Sequence, residues 1–246
     1  MKIEMLYPEV ANLHGDNYNI TYLSQCRPDA TIIRTALTDT PAFTTTPIGL
    51  IYLGPMTESG QTKVIHRLFP HKDRINELIH TGTIFLFTHN AFEILGERID
   101  NLSLNQTTPG LGILPITTKI DLLNRYTGKV LGTFPGISDP IVGHKSQFSM
   151  VQTHHFVPEF LTLDKGIGRD RNTQVEGVHL NNFFGTSLLG PLLINNPHFT
   201  TYLLHQLDPN TPPHLPFKDL AQSAYQSRLT DFQTPSRWHP WETPRL

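Results

Sequence analysis

The chain has 246 residues and a formal net charge of −2, from 19 Lys+Arg against 21 Asp+Glu, which is enough for one sizeable core and short for two ordinary domains. Its charges are spread without runs, leaving no electrostatic footprint for nucleic acid or an anionic membrane. The single cysteine, Cys26, excludes an internal disulfide framework and a cysteine-rich zinc site.

Glu4 and Glu9 interrupt the stretch where a signal peptide needs an unbroken apolar run, and no later run approaches the roughly 18 residues of a membrane helix. The expectation is a cytoplasmic protein without membrane insertion. Thirteen histidines invite a metal reading. His154 and His155, however, face opposite ways on a strand, and Pro70 separates His66 from His71, so no metal and no cofactor is expected.

Residues 2–7 alternate apolar and polar and are predicted as a half-buried strand that Pro8 closes. Asp16 or Asn17 is predicted to cap a helix with Ile20 and Leu23 inward, ending near Arg27 and Pro28. A second strand is expected over 30–37, a polar loop over 38–47, and a third strand over 48–53 that Gly54-Pro55 stops. Val64, Ile65 and Leu68, then Ile75, Leu78 and Ile79, keep helical spacing on either side of Pro70. That pattern makes two helices or one kinked one, capped by Gly82.

Residues 84–87 are a short apolar run fit for a strand covered on both faces, and helical spacing begins abruptly at His89. Such a strand, sharp turn and helix is where α/β hydrolytic enzymes hold a nucleophile, because the strand end exposes one side chain and the helix N-terminus lowers the pKa of a thiol there. Here the residue is His89. The order strand, helix, strand, strand, helix, strand predicts a parallel sheet with helices on both faces.

Over 98–186, short β-rich segments alternate with turn signals at Pro109-Gly110, Pro135-Gly136 and Lys165-Gly166. Strands near 113–119, 126–132, 141–144, 148–153 and 178–185 are expected as an antiparallel extension of the sheet. Asn196 as cap and Pro197 at the first position start a helix that buries Phe199, Tyr202, Leu203 and Leu207. A proline-rich connector over 208–216 and a weak helix over 218–229, through Leu220, Ala221, Ala224 and Tyr225, lead to a tail carrying Trp238 and Trp241. Those tryptophans belong to a loosely packed end or dock on this chain or a partner. The expected division is a domain over 1–207 with an appendage over 208–246.

Three stretches, taken together, resemble the class I glutamine amidotransferase family, in its cobyric-acid-synthase-type branch and in particular the glutaminase subunits of lipid II isoglutaminyl synthases. The first is Leu6-Tyr-Pro-Glu-Val-Ala-Asn12-Leu-His-Gly15-Asp16-Asn-Tyr-Asn19-Ile20. The second is 92–96 with Gly110-Leu-Gly112-Ile-Leu114 and Asn124-Arg125. The third is Glu176-Gly177 followed by Gly185-Thr-Ser-Leu-Leu-Gly190-Pro191 and Asn196-Pro197. The resemblance implies a flavodoxin-like three-layer α/β/α fold with a central, mostly parallel sheet. It also implies a cysteine that attacks the glutamine side-chain amide, a histidine that activates it, and ammonia passed to a Mur-ligase-like ATP-dependent subunit that amidates the peptidoglycan precursor.

Residue by residue, the chain departs from that pattern. The family's Cys-Gly-Gly-(Tyr/Phe)-Gln-Leu-Leu-Gly corresponds to His89-Asn90-Ala91-Phe92-Glu93-Ile94-Leu95-Gly96, so His89 stands at the nucleophile's position. The family's Gly-Thr-Tyr-Leu-His-Gly-Pro corresponds to 185–191, so Leu189 stands at the base's position. Gly143-His144-Lys145-Ser146-Gln147 replaces Gly-Phe-Glu-Asn-His. Arg125 falls where the family has an arginine suited to the glutamine carboxylate, a structural salt bridge being the other reading.

The expectation is therefore a catalytically degenerate relative acting as a binding, scaffold or regulatory subunit. The alternative is an active glutaminase with a site rebuilt around His89, Arg125 and Glu93, and a third is a complex component without a ligand. Cys26 as a displaced nucleophile and Thr88 beside His89 as a hydroxyl-base pair are both disfavoured. His89 has three readings, in order of preference: a satisfied polar residue, a ligand-binding side chain, or the acid-base group of another reaction. Asn90 is expected to supply the positive φ of the turn, and the helix N-terminus to disfavour a protonated imidazole at His89.

Overall fold

A computed structural model describes residues 1–233; Trp238, Trp241 and their expected docking lie outside the described residues. The central sheet has six strands: β1 Lys2–Leu6, β2 Thr31–Thr35, β3 Leu50–Leu53, β4 Ile84–Thr88, β13 Val178–Leu180 and β14 Phe183–Thr186. Their spatial order is β13-β14-β4-β3-β1-β2. All neighbours pair parallel except β13 with β14, where the segment expected as one strand over 178–185 folds back as a hairpin.

Successive residues of these strands point to opposite faces and feed two cores. Ile51, Leu53, Phe85 and Phe87 pack with Val64, Leu68 and Ile79, whose helices α2 Glu58–Leu68 and α3 Lys72–Thr81 flank Pro70. Leu50, Tyr52, Ile84 and Leu86 pack on the other side with Ile20 and Leu23 of α1 Tyr18–Cys26. Phe199 and Leu203 join them from α5 Pro197–Leu207, which follows the short α4 Leu192–Asn195.

Two local expectations stand. Pro70 sits in a 3-10 turn, Phe69–His71, that separates α2 from α3, and Gly82 ends α3 in the left-handed region at φ 102°. The α2 N-terminus is capped by Thr57 Oγ1, which accepts from Gly60 N at 3.1 Å. Thr57→Ala orphans that donor and is expected to lower stability by about 1 kcal/mol, read as a shift of the urea midpoint with no change of slope.

Other expectations are corrected. Strand β1 is not half-buried, because Glu4 is fully inside. Its carboxylate accepts from Thr35 Oγ1 at 2.5 Å, Ala42 N at 2.6 Å and Phe43 N at 2.8 Å, and such a donor set makes burial of the charge tolerable. Asn17 makes no side-chain cap on α1, and Asp16 is buried instead. Asn196 does not cap α5; its side chain ties Val142 N and O to the helix. Tyr202 and Leu207 are only partly buried. The last helix, α6, runs Lys218–Gln233 and buries Ala221 and Tyr225, with Leu220 71% exposed.

Apart from β13, which adds one antiparallel edge strand to the central sheet, the antiparallel segments form sheets of their own. One four-stranded sheet, ordered β10-β7-β5-β6, comprises β5 Arg98–Asn101, β6 Gln106–Pro109, β7 Ile116–Ile120 and β10 Ser149–Thr153. Another, ordered β12-β11-β8-β9, comprises β8 Tyr126–Thr133, β9 Ile141–Gln147, β11 Leu161–Lys165 and β12 Val175–Glu176. Strands β7 to β10 fall on the expected segments, whereas β5, β6, β11 and β12 are too short, and β5 and β6 too polar, to carry a clear period.

Candidate functional site

Strand β4 ends at Thr88, and the chain turns at His89, whose φ of 53° lies in the left-handed region. The residue bearing the unusual backbone is therefore His89 itself and not Asn90. A β-region strand end followed by a left-handed residue throws the side chain out of the sheet plane. The helical segment that follows is a 3-10 turn, His89–Leu95, and not the expected α-helix, because Gly96 is already extended and β5 begins at Arg98. Gly110 lies against Gly96 so closely that a Cβ there would meet the Gly96 carbonyl.

His89 is 9% exposed. Its Nε2 lies 3.1 Å from Ser146 O, and a carbonyl only accepts, so Nε2 carries the proton. Nδ1 is left as a buried lone pair with no protein partner among the described residues. Burial, more than any helix terminus, pushes the imidazole pKa down and holds it neutral. The His14 ring stands 6.0 Å away, tilted by 56°.

Asn90 locks the turn through both ends of its amide, accepting from Met56 N at 3.0 Å and donating to Met56 O at 2.7 Å. Gln61 on α2 donates to Asn90 O at 2.8 Å and to Glu93 Oε2 at 3.1 Å. Ser149 Oγ is 2.5 Å from Glu93 Oε1. Burial raises the Glu93 pKa from 4.5 to about 7, against the opposing pull of the Ser149 and Gln61 hydrogen bonds.

Together with Arg125, these side chains line a cleft of about 230 Å3 between α2 and the start of β10. That volume is below the usual range for drug-sized ligands and suits a molecule of amino-acid size. Arg125 lies across it, its Nε donating to Ser146 Oγ at 2.8 Å and its guanidinium 5.6 Å from the centre of the Phe148 ring. Among the described residues it makes no ion pair, so the salt-bridge reading gains no support.

The structure thus brings His89, Glu93 and Arg125 into one cleft. Leu189 is not among the residues lining it; its backbone N–H donates to His144 O at 2.8 Å. The cleft is neither plugged by Phe92 and Leu189 nor equipped with a hydrogen bond between two titratable side chains among the described residues. Thr88 cannot pair with His89, since its hydroxyl donates to Asp16 Oδ2, where Tyr52 OH also donates at 2.7 Å. Cys26 is buried beneath α1, in the core on the far face of the sheet from Phe87 and Phe92, with its thiol pushed up to about 11 by burial. Among the described residues no three His, Cys, Asp or Glu side chains gather where a metal ion could sit, and no helix is long and apolar enough to cross a membrane.

Gln61 and Ser149 are contributors that the sequence does not single out, and Ser146 enters there only as a member of the altered stretch 143–147. Only the folding of α2, β9 and β10 around the turn reveals them. A buried ion pair nearby was equally hidden: Lys145 Nζ lies 3.4 Å from Glu176 Oε1, both fully buried.

No family model matches the chain. Among curated proteins it is 27% identical over 203 residues to the lipid II isoglutaminyl synthase (glutamine-hydrolyzing) subunit GatD of Staphylococcus aureus, covering 79% of either chain. It is 24% identical over 216 residues to the subunit of that name from Streptococcus pneumoniae, covering 83% of this chain and 79% of that one. Among solved structures, PurLQS from Thermotoga maritima superposes with a TM-score of 0.56 at 13% identity, over 84% of this chain and 96% of that one. A glutamine amidotransferase superposes at 0.52 and 12% identity, over 83% and 98%. The chain is therefore similar in sequence to the GatD subunits of lipid II isoglutaminyl synthases (glutamine-hydrolyzing), and its mixed α/β fold is like that of a glutamine amidotransferase.

Proposed function

We propose that this chain is a catalytically degenerate glutamine amidotransferase-like subunit: it binds a small ligand in the cleft beside His89 and acts as a binding or regulatory component without hydrolysing glutamine. The observation that carries this reading is the side chain at the turn. A buried, neutral imidazole occupies position 89, the only cysteine of the chain lies inside the opposite core, and Leu189 brings carbon where a base would be needed. Amide hydrolysis by covalent catalysis requires an activated nucleophile with a base in reach. Arg125 is the residue assigned to a ligand carboxylate, since its guanidinium offers planar paired donors.

The reading extends to a flavodoxin-like three-layer α/β/α domain over 1–207 with an appendage over 208–246. The domain works in the cytoplasm beside a Mur-ligase-like ATP-dependent partner in peptidoglycan precursor amidation. Support for this wider setting comes from the names of the relatives, both subunits of a lipid II isoglutaminyl synthase.

The test is to incubate the purified protein with glutamine, alone and with the candidate partner, and to assay glutamate and ammonia. No turnover above buffer is expected. Steady turnover abolished by His89→Ala would establish instead the rival enzyme built on His89, Glu93 and Arg125, whose one structural attraction is that the three residues line one unplugged cleft.

A further inference from the structure

We propose that the cleft is a proton-gated receptor for a small carboxylate ligand, in which Arg125 takes the carboxylate and Glu93 has to be in its neutral acid form for the ligand to stay. The inference rests on the preceding assignment of the cleft as a binding pocket, and adds the gate.

Among the described residues Arg125 is the one Lys or Arg lining the cleft. Ser146 Oγ and the Phe148 ring fix its Nε and its plane, and its terminal amino groups have no protein acceptor among the described residues. Glu93 lines the same cleft and is hydrogen-bonded by two neutral groups, Ser149 and Gln61, with Lys145 acting on it only through space. The charged and titratable groups that face Glu93 are Glu58 on α2, Lys145 on β9 and His89 on its own turn, with His14 across the cleft. Lys145 is committed to Glu176 and to Gly168 O, 3.1 Å from its Nζ.

An ionised Glu93, itself buried, therefore adds a second negative charge beside an incoming carboxylate, and like charges repel. A neutral Glu93 removes that repulsion and offers one O–H donor. Burial raises Glu93 to about 7, so the change of state falls near neutrality, whereas His89, pushed below its ordinary value, stays neutral there.

The experiment is isothermal titration of the full chain with L-glutamate, L-glutamine and L-aspartate at about pH 6 and about pH 8, a range over which these probes keep their own charges. Expected is binding of at least one probe with a Kd about tenfold lower at the acid end, since coupling to one group titrating near 7 changes affinity by up to tenfold per pH unit above it. Glu93→Gln, which keeps the hydrogen bonds to Ser149 and Gln61 by a turn of the serine hydroxyl, is expected to bind equally at the two pH values. His14→Asn, a residue tolerant of the left-handed backbone there, is expected to keep the wild-type pH dependence. In the wild type, buffers of different ionisation enthalpy at about pH 8 should report uptake of nearly one proton per ligand bound, a measurement that needs no variant. A pH dependence that survives in Glu93→Gln or vanishes in His14→Asn overturns the gate, as does binding without proton uptake. Failure of all three probes to bind at either pH overturns it too, while the glutaminase assay is left unaffected.

Discussion

Lys145→Met is expected to lower the free energy of unfolding by about 3–5 kcal/mol, the cost of removing one member of a buried ion pair. Lys145 and Glu176 are both fully buried, 3.4 Å apart. Burial drives the Lys145 pKa down, and the Glu176 carboxylate opposes it. Glu176 also accepts from Thr186 Oγ1 at 2.8 Å and Ser187 N at 2.7 Å, so it joins the end of β14 to β9 and to the 166–168 loop that Lys145 reaches. Met fills the volume and leaves a carboxylate hydrogen-bonded by neutral donors, with Arg169 acting on it only through space. Urea denaturation reads the loss as a midpoint shift at constant slope. The double variant Lys145→Met with Glu176→Gln is expected to recover part of it, because no unpaired charge remains. A single-variant loss below about 1 kcal/mol, the size of an ordinary surface change, contradicts the account. The variant should also weaken the cleft, since the neighbouring residue Ser146 holds both His89 and Arg125.

What the sequence made legible follows from which physical signals are local. The apolar run ending at Phe87, the break at Pro70 and the left-handed Gly82 are local, and they place β4, α2 and α3 to within one or two residues. The turn at His89 follows from that strand end. Its backbone strain did not, because a histidine at positive φ is held there by Asn90 gripping Met56, a contact 34 residues away in sequence. In the sequence Glu4 reads only as part of a half-buried strand, and Lys145 and Glu176 only as members of the stretches that carry the resemblance, because the burial of a charged residue is not legible until its partners are known. All three are buried by partners 10 to 39 residues away. The partition into three sheets was likewise out of reach. Segments such as Arg98–Asn101 and Gln106–Pro109 carry little periodicity, and their pairing is set by β7 across the sheet.

Glu93 has the second large effect, and its direction depends on pH. Its folded pKa is raised to about 7 from 4.5, so the folded state holds the proton more tightly than the unfolded chain. The stabilising contribution is fully present below the unfolded value and is lost as pH climbs through about 7. Integrated over that window, it amounts to about 3 kcal/mol. Wild-type stability is therefore expected to fall between about pH 5 and about pH 8 by that amount relative to Glu93→Gln, whose amide does not titrate. Other groups titrate in both proteins and cancel in the difference, which isolates residue 93. Parallel stability curves for the two proteins would mean that Glu93 stays ionised without penalty, and the cleft would then be wetter than its burial implies. Because a ligand that needs neutral Glu93 holds the proton on it, saturating ligand should move the wild-type fall to higher pH, while it raises the variant's curve evenly across pH without moving any step in it. The stability profile and the binding profile thus report the same proton.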